Sequence, residues 1–179
     1  MEIRGATIIV KENLKDDLIV AEIGVRDGIH ALGILNMLNI KSLYLVDHFL
    51  EYQEEGYQLD SVEKQNNHYK TMFENMKDKL DKVVFLTRTS KQASELFNDN
   101  YFDFVYIDAC HEYENVKSDI EYWYKKIKIG GYLGGHDYVY SWSGVIKAVD
   151  EFVLKNNLDL KKNLSGSDWL IKKYENTTS

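Results

Sequence analysis

The chain has 179 residues, 44% of them hydrophobic and 28% charged, which suits a single domain with a sizeable core, expected over 1–179. Its 22 basic and 29 acidic residues leave a net charge of −7, which argues against nucleic acid as a partner and fits an enzyme of small molecules. Cys110 is the only cysteine, so no intrachain disulfide is expected; with no signal-peptide layout and no long apolar run, the expected location is the cytoplasm, away from membranes.

Residues 1–17 read two ways: ATIIV suits a short strand or the apolar side of a leading helix. Leu18 to Ala21 is then an apolar run that breaks into a turn, Gly24 to Gly28, followed by Ile29, Leu32, Leu35 and Leu38 at helical spacing. Strand, glycine turn and helix together present backbone N–H groups and a positive helix end to a ligand. The turn is not GxGxxG. It reads Glu22-x-Gly24-x-x-x-Gly28, and a carboxylate at that strand end repels phosphates and attracts an ammonium or sulfonium. An ordinary βα turn is the alternative.

A second strand, Ser42 to Asp47, ends in an acid 19 positions after Gly28, about the spacing at which such folds set a carboxylate on ribose hydroxyls. His48 to Asp60 is a polar and aromatic loop of the length used for lids and binding loops. Ser61 to Leu80 reads as a helix with Val62, Tyr69, Met72, Phe73 and Met76 on one face. Lys82 to Thr87 is a third strand, and a helix through Ala93, Leu96 and Phe97 follows Ser90. Asp103 to Asp108 is a fourth strand, apolar enough to be covered on both faces. Val116, Ile120, Trp123 and Ile127 mark the next helix, which Gly130-Gly131 is expected to stop. A fifth strand, Tyr132 to Gly135, ends in His136-Asp137; a helix carrying Val145, Val149, Phe152 and Val153 follows. Leu158–Leu164 and Asp168–Tyr174 close the chain as a hairpin. The expected fold is α/β: a Rossmann-like open sheet, mostly parallel with one antiparallel strand near an edge, and helices on both faces.

Ligands of such sheets bind outside the carboxyl ends of the strands. There the sequence puts Glu22, Asp47, Ser90, Asp108 and His136-Asp137. Asp108, His136 and Asp137 offer two oxygens and a nitrogen to a divalent cation such as Mg²⁺; alternatively Asp137 caps a turn and His136 packs. His111, three residues past Asp108, suits a general base titrating near 6.5 if unperturbed, or else a surface residue starting the Glu112–Ile127 helix. Cys110 suits a wall better than a nucleophile, since no cation that would activate it is evident.

The run from Phe102 to Tyr138, FDFVYIDACHEYENVKSDIEYWYKKIKIGGYLGGHDY, resembles the class I S-adenosylmethionine-dependent methyltransferases. Within them it resembles the small-molecule and sugar O-methyltransferase branch marked by IDxxH…GG…GHDY, and EIGVRDG and Asp47 are similar to the family's first two motifs. The resemblance implies that Glu22, Gly24 and Gly28 hold the methionine end of S-adenosylmethionine, with His30 near its carboxylate. Arg26 stands where many members carry glycine, so it either crowds the cofactor or contacts that carboxylate. Asp47 would take the ribose hydroxyls and Ser90 the adenine edge. Asp108, beside the cofactor, would bind metal with His136-Asp137, as in related metal-dependent enzymes, where the first position of that pair is usually a carboxylate. His111 falls where those enzymes carry their base. The implied activity is methyl transfer to a hydroxylated small molecule (sugar, polyol or catechol-like), with neither nucleic acid nor membrane as partner and a homo-oligomer left open. The rivals are a cofactor-binding protein without turnover, a nicotinamide-dependent oxidoreductase on a similar sheet, and, more remotely, a His-Asp metal phosphohydrolase.

Overall fold

The computed structural model describes residues 4–15, 17–51, 53–54 and 60–175. The ambiguous start is a helix, α1 (Gly5–Asn13), which buries Ala6, Thr7 and Val10. Its opening N–H groups are taken up: Gly5 donates to the Ser165 carbonyl at 2.9 Å and Ala6 to the buried Asp168 Oδ2 at 2.8 Å. A carboxylate at that end also complements the helix dipole.

Seven strands follow: β1 (Leu18–Ile23), β2 (Ile40–Val46), β3 (Val83–Leu86), β4 (Phe102–Ile107), β5 (Ile127–Gly135), β6 (Leu160–Leu164) and β7 (Asp168–Lys172). Between them run α2 (Ile29–Met37), α3 (Val62–Met76), α4 (Ser90–Ser94), α5 (Tyr113–Lys126) and α6 (Ser143–Asn156). The strand order is β3-β2-β1-β4-β5-β7-β6, with β1 to β5 parallel and β7 antiparallel to both its neighbours. The chain steps outward from β1 to β3, then returns to lay β4 beside β1. That reversal opens a crevice at the carboxyl ends of β1 and β4.

Each face of the sheet has its own core. Ala6, Ile34, Leu43, Met72, Met76 and Phe104 fill the side covered by α1, α2 and α3. Phe102, Ile120, Trp123, Val149 and Trp169 fill the side of α4, α5 and α6. The strands between two such layers are apolar on both faces, as parallel strands are. Among the described residues, no helix is long and apolar enough to cross a membrane.

Several boundaries differ from the sequence reading. The α5 helix ends at Lys126, before the glycine pair, and β5 begins at Ile127 without a loop. Gly130 and Gly131 therefore lie inside the strand. A Cβ on Gly131 would come within 2.7 Å of the Asp103 carbonyl oxygen, so close packing of β5 on β4 is what requires glycine there. The third helix stops at Met76 and ends in a 3₁₀ turn, Lys77–Lys79; Val62 and Phe73 are exposed, whereas Gln65 and His68 are buried. The α4 helix is one short turn capped by Thr89, and Leu96 beyond it is exposed. The expected loop over 48–60 lies partly outside the described residues.

Candidate active site

An open cavity of about 830 Å³ runs along the carboxyl ends of β1 to β5. Among the expected residues it is lined by Glu22, Gly24, Arg26, His30, Asp47, Ser90, Asp108, His111, His136 and Asp137. Gly28 is not on its wall. It starts α2 and packs towards Met72 and Met76.

The β1 end is built by contact with β4. Asp108 donates its N–H to the Ile23 carbonyl at 2.7 Å, and Gly24 crosses directly over the Asp108 carbonyl. A Cβ on Gly24 would meet that oxygen at 2.1 Å, and its φ of +81° is itself strained for an L side chain. Arg26 also has positive φ, +50°, which accounts for glycine being the easier residue at that position. Glu22 is 1% exposed. Its Oε1 lies 3.0 Å from His30 Nδ1, while its Oε2 is buried with no hydrogen-bond partner among the described residues. Burial pushes the Glu22 carboxyl above its ordinary pKa, and His30 only partly opposes that. An ammonium group brought to Oε2 would satisfy both the orphaned oxygen and the charge. His30 sits behind it, bridging Glu22 and Thr7 Oγ1 at 3.1 Å, with its ring tilted against that of Tyr106 at 4.2 Å. It orients the acid from α2.

Asp47 follows β2. Its Oδ2 accepts the N–H groups of Val25 at 2.9 Å and Arg26 at 3.1 Å, and its Oδ1 accepts that of Phe49 at 3.0 Å. The carboxylate thus braces the glycine turn, leaving part of its roughly four lone-pair sites for a ligand hydroxyl. Ser90, at the start of α4, accepts a hydrogen bond from Trp123 Nε1 at 2.9 Å and donates one to Asp119.

At the other end, the ionisable side chains of Arg4, Glu54, Asp108, His111, His136 and Asp137 meet. Asp108 Oδ2 is paired with Arg4 Nη1 at 2.7 Å, and the same nitrogen donates to Tyr106 Oη at 3.0 Å. Tyr106 in turn donates to Asp168 Oδ1 at 2.6 Å, which ties the site to α1 and β7. His111 is held between two carboxylates, with Nδ1 2.6 Å from Glu54 Oε1 and Nε2 2.8 Å from Asp137 Oδ2. Its own N–H donates to Glu54 Oε2 at 3.2 Å, and its ring stacks on Trp142 at 4.1 Å. Burial favours neutral imidazole, but the hydrogen bonds and charges of Asp137 and Glu54 outweigh it and hold His111 up to about 8. The sequence offered no such pair, and its value near 6.5 is superseded. His136 Nδ1 lies 3.0 Å from Asp137 Oδ2 and 3.7 Å from Asp108 Oδ1, and these acids raise its pKa against the effect of burial. Burial would raise Asp137, but its bonds to His111 and His136 win and hold it well below the usual carboxylate range. The ligand atoms that gather within 4.8 Å of one another belong to Asp108, His111 and Asp137, so the imidazole of that group is His111, with His136 beside it. Burial pushes the Cys110 thiol up to about 12, in keeping with a wall residue.

Arg4, Glu54, Asp119 and Trp142 are site residues that the sequence did not single out. Arg4 precedes a segment that periodicity left open, Glu54 sits in the long loop, and Asp119 looks like any polar position of an amphipathic helix. Only Trp142, four residues past Tyr138, carried a signal: an aromatic beside a polar cluster.

The architecture recurs in solved proteins. An rRNA methylase from Streptococcus thermophilus superposes with a TM-score of 0.66 at 16% identity, over 98% of this chain and 99% of that one. An O-methyltransferase from Bacillus cereus, solved with SAH, superposes with a TM-score of 0.60 at 16% identity, over 94% and 79%. In sequence, an uncharacterized protein of Acanthamoeba polyphaga mimivirus is 30% identical over 142 residues, 78% of this chain and 61% of that protein. The chain thus spans less than two thirds of that relative's length. The stretch that supplies the strand-end groups, from Glu22 to the His136–Asp137 pair, falls within residues 21–138, which match the family described as a methyltransferase domain, and the chain belongs to that family.

Proposed function

We propose that the protein moves a methyl group from S-adenosylmethionine to a hydroxyl oxygen of a small molecule. The observation that carries this is the orphaned Glu22 Oε2, buried beside the Gly24 turn in a residue that lines the same cavity as His111. A buried carboxylate oxygen without a partner suits an ammonium, and Asp47 further along suits vicinal hydroxyls. When bound, S-adenosylmethionine supplies an activated methyl group and leaves as a neutral thioether. The protein's part is then alignment and removal of one proton. Above about pH 8, where His111 has lost the proton it shares with Asp137, its Nε2 is the acceptor for the proton of the attacking hydroxyl, with Glu54 fixing the ring from Nδ1 and Trp142 fixing its plane. A net charge of −7 supports a small-molecule acceptor over nucleic acid, although the structural neighbours include proteins described as rRNA methylases.

Divalent-metal assistance is a second reading, favoured by the gathering of Asp108, His111 and Asp137. Two carboxylate oxygens and an imidazole suit Mg²⁺ or Mn²⁺ as donors. Their positive partners are already present, however: Arg4 on Asp108, and the proton shared between His111 and Asp137. A cation would take the place of that proton, so at Nε2 the roles of base and ligand exclude one another. The test is methyl-donor turnover against a panel of hydroxylated metabolites, with chelator and with added Mg²⁺ or Mn²⁺. Methylated product is expected. Full activity in chelator retires the metal, and binding of S-adenosylhomocysteine without turnover across the panel returns the protein to a cofactor-binding role.

A further inference from the structure

We infer that Asp119, on α5, reads the exocyclic amino group of the cofactor's adenine and sets the preference for that base. The inference rests on the cofactor reading above. Asp119 is 7% exposed yet lines the cavity, beside Ser90 and Ser118. The resemblance puts Ser90 at the adenine edge; its hydroxyl accepts from Trp123 Nε1 at 2.9 Å and gives its single proton to Asp119, which leaves it one lone pair. The stronger acceptor on this wall is the acid behind it. An ionised carboxylate only accepts, and Ser90 satisfies one of its roughly four lone-pair sites.

Position along the cavity selects the ligand atom. With an ammonium at Glu22 on β1 and ribose hydroxyls at Asp47 after β2, the base extends towards the residues after β3. Thr89, Ser90 and Lys91 stand there, with Asp119 across from them on α5. Adenine offers two N–H bonds at its exocyclic amine. Hypoxanthine has a carbonyl oxygen at the same place, which a carboxylate repels. Burial alone holds Asp119 up to about 6, opposed only by the Ser90 hydrogen bond, and no cation contributes. An acid buried on a ligand cavity without a neighbouring cation gains most from a ligand N–H.

The experiment is isothermal titration of S-adenosylhomocysteine and S-inosylhomocysteine into the wild type, Asp119→Ala and Asp119→Asn, with folding of each variant checked by circular dichroism. The wild type should prefer the adenine ligand by about 10- to 150-fold, the range of one hydrogen bond to a charged group. Asp119→Ala should lose most of that ratio. In Asp119→Asn, whose amide can donate to the hypoxanthine carbonyl, the ratio should narrow or invert, which keeps the test open if the alanine variant does not fold. A wild-type ratio retained in a folded variant overturns the role of Asp119 alone. A wild type that binds neither ligand overturns the cofactor reading and this inference with it.

Discussion

Asp119 also makes a stability prediction that needs no ligand. Its carboxyl is held at about 6 by burial, against an ordinary value of 3.8. Below pH 3.8 the folded and unfolded chains both carry the proton, and the group imposes no penalty. As pH rises to 6 and beyond, the unfolded chain ionises freely while the folded chain must ionise a buried acid, so stability falls. Two pKa units and a little more correspond to about 3 kcal/mol, at 1.36 kcal/mol per unit. The group is 7% exposed, so solvent screening takes little from that figure. Asp119→Asn removes the titration while keeping the shape. Urea unfolding of both proteins between pH 4 and pH 8 isolates the effect, because the other ionisable groups cancel in the difference. The variant should gain on the wild type by about 2 kcal/mol between pH 4 and pH 7, since the group is already partly ionised in the unfolded chain at pH 4, with any lost Ser90 geometry as a constant offset. A difference that stays flat with pH, or that runs the other way, refutes the assignment of a raised carboxyl.

The remaining predictions concern the turn and the base. Gly24→Ala sets a Cβ against the Asp108 backbone at positive φ and should destabilise the fold by about 2–4 kcal/mol while abolishing cofactor binding, checked by thermal unfolding and calorimetry; a neutral substitution refutes the packing argument. Asp47→Ala should weaken S-adenosylhomocysteine by about 10- to 150-fold, and it should also cost stability because three backbone N–H groups lose their acceptor; unchanged affinity refutes the ribose role. His111→Ala should lower turnover by about 10²–10⁴-fold with cofactor and acceptor affinities nearly unchanged, measured by steady-state kinetics and titration; retained turnover means another group removes the proton.

The sheet was legible because its information is local. Six-residue apolar runs punctuated by Gly, Asn and Asp announce buried parallel strands, and 3.6-residue spacing separates them with helices. The strand-end groups were legible for the same reason, since a polar residue just past an apolar run marks the edge of the sheet. What was not legible depends on distant partners. Arg4 reaches Asp108 across 104 positions of sequence, and Glu54 reaches His111 across 57. No periodicity records such a pairing. The end of α5 was misread for a related reason: Gly130-Gly131 looks like a helix stop, but its cause is the approach of the Asp103 carbonyl on another strand. That the Ser90 hydroxyl is shared with Trp123 and Asp119, 33 and 29 positions on, shows only in the fold.

The charges of the cavity divide it in two. In the half towards β4 and β5, Asp108, Asp137 and Glu54 each face a positive or protonatable partner: Arg4, His136 and His111. In the half towards β1 and α4, Glu22 has His30 on one oxygen but keeps the other unpartnered, and no cation among the described residues offsets the burial of Asp119. A buried carboxylate without compensation is unfavourable until a ligand brings N–H groups or positive charge to it. The second half therefore gains from a ligand carrying an ammonium at one end and an amino-substituted base at the other. The first half gains nothing from further positive charge unless a proton or Arg4 withdraws. It is better matched to a neutral hydroxyl that needs only orientation and a base. The two halves meet at Asp108, whose backbone carbonyl supports the Gly24 turn while its side chain holds Arg4.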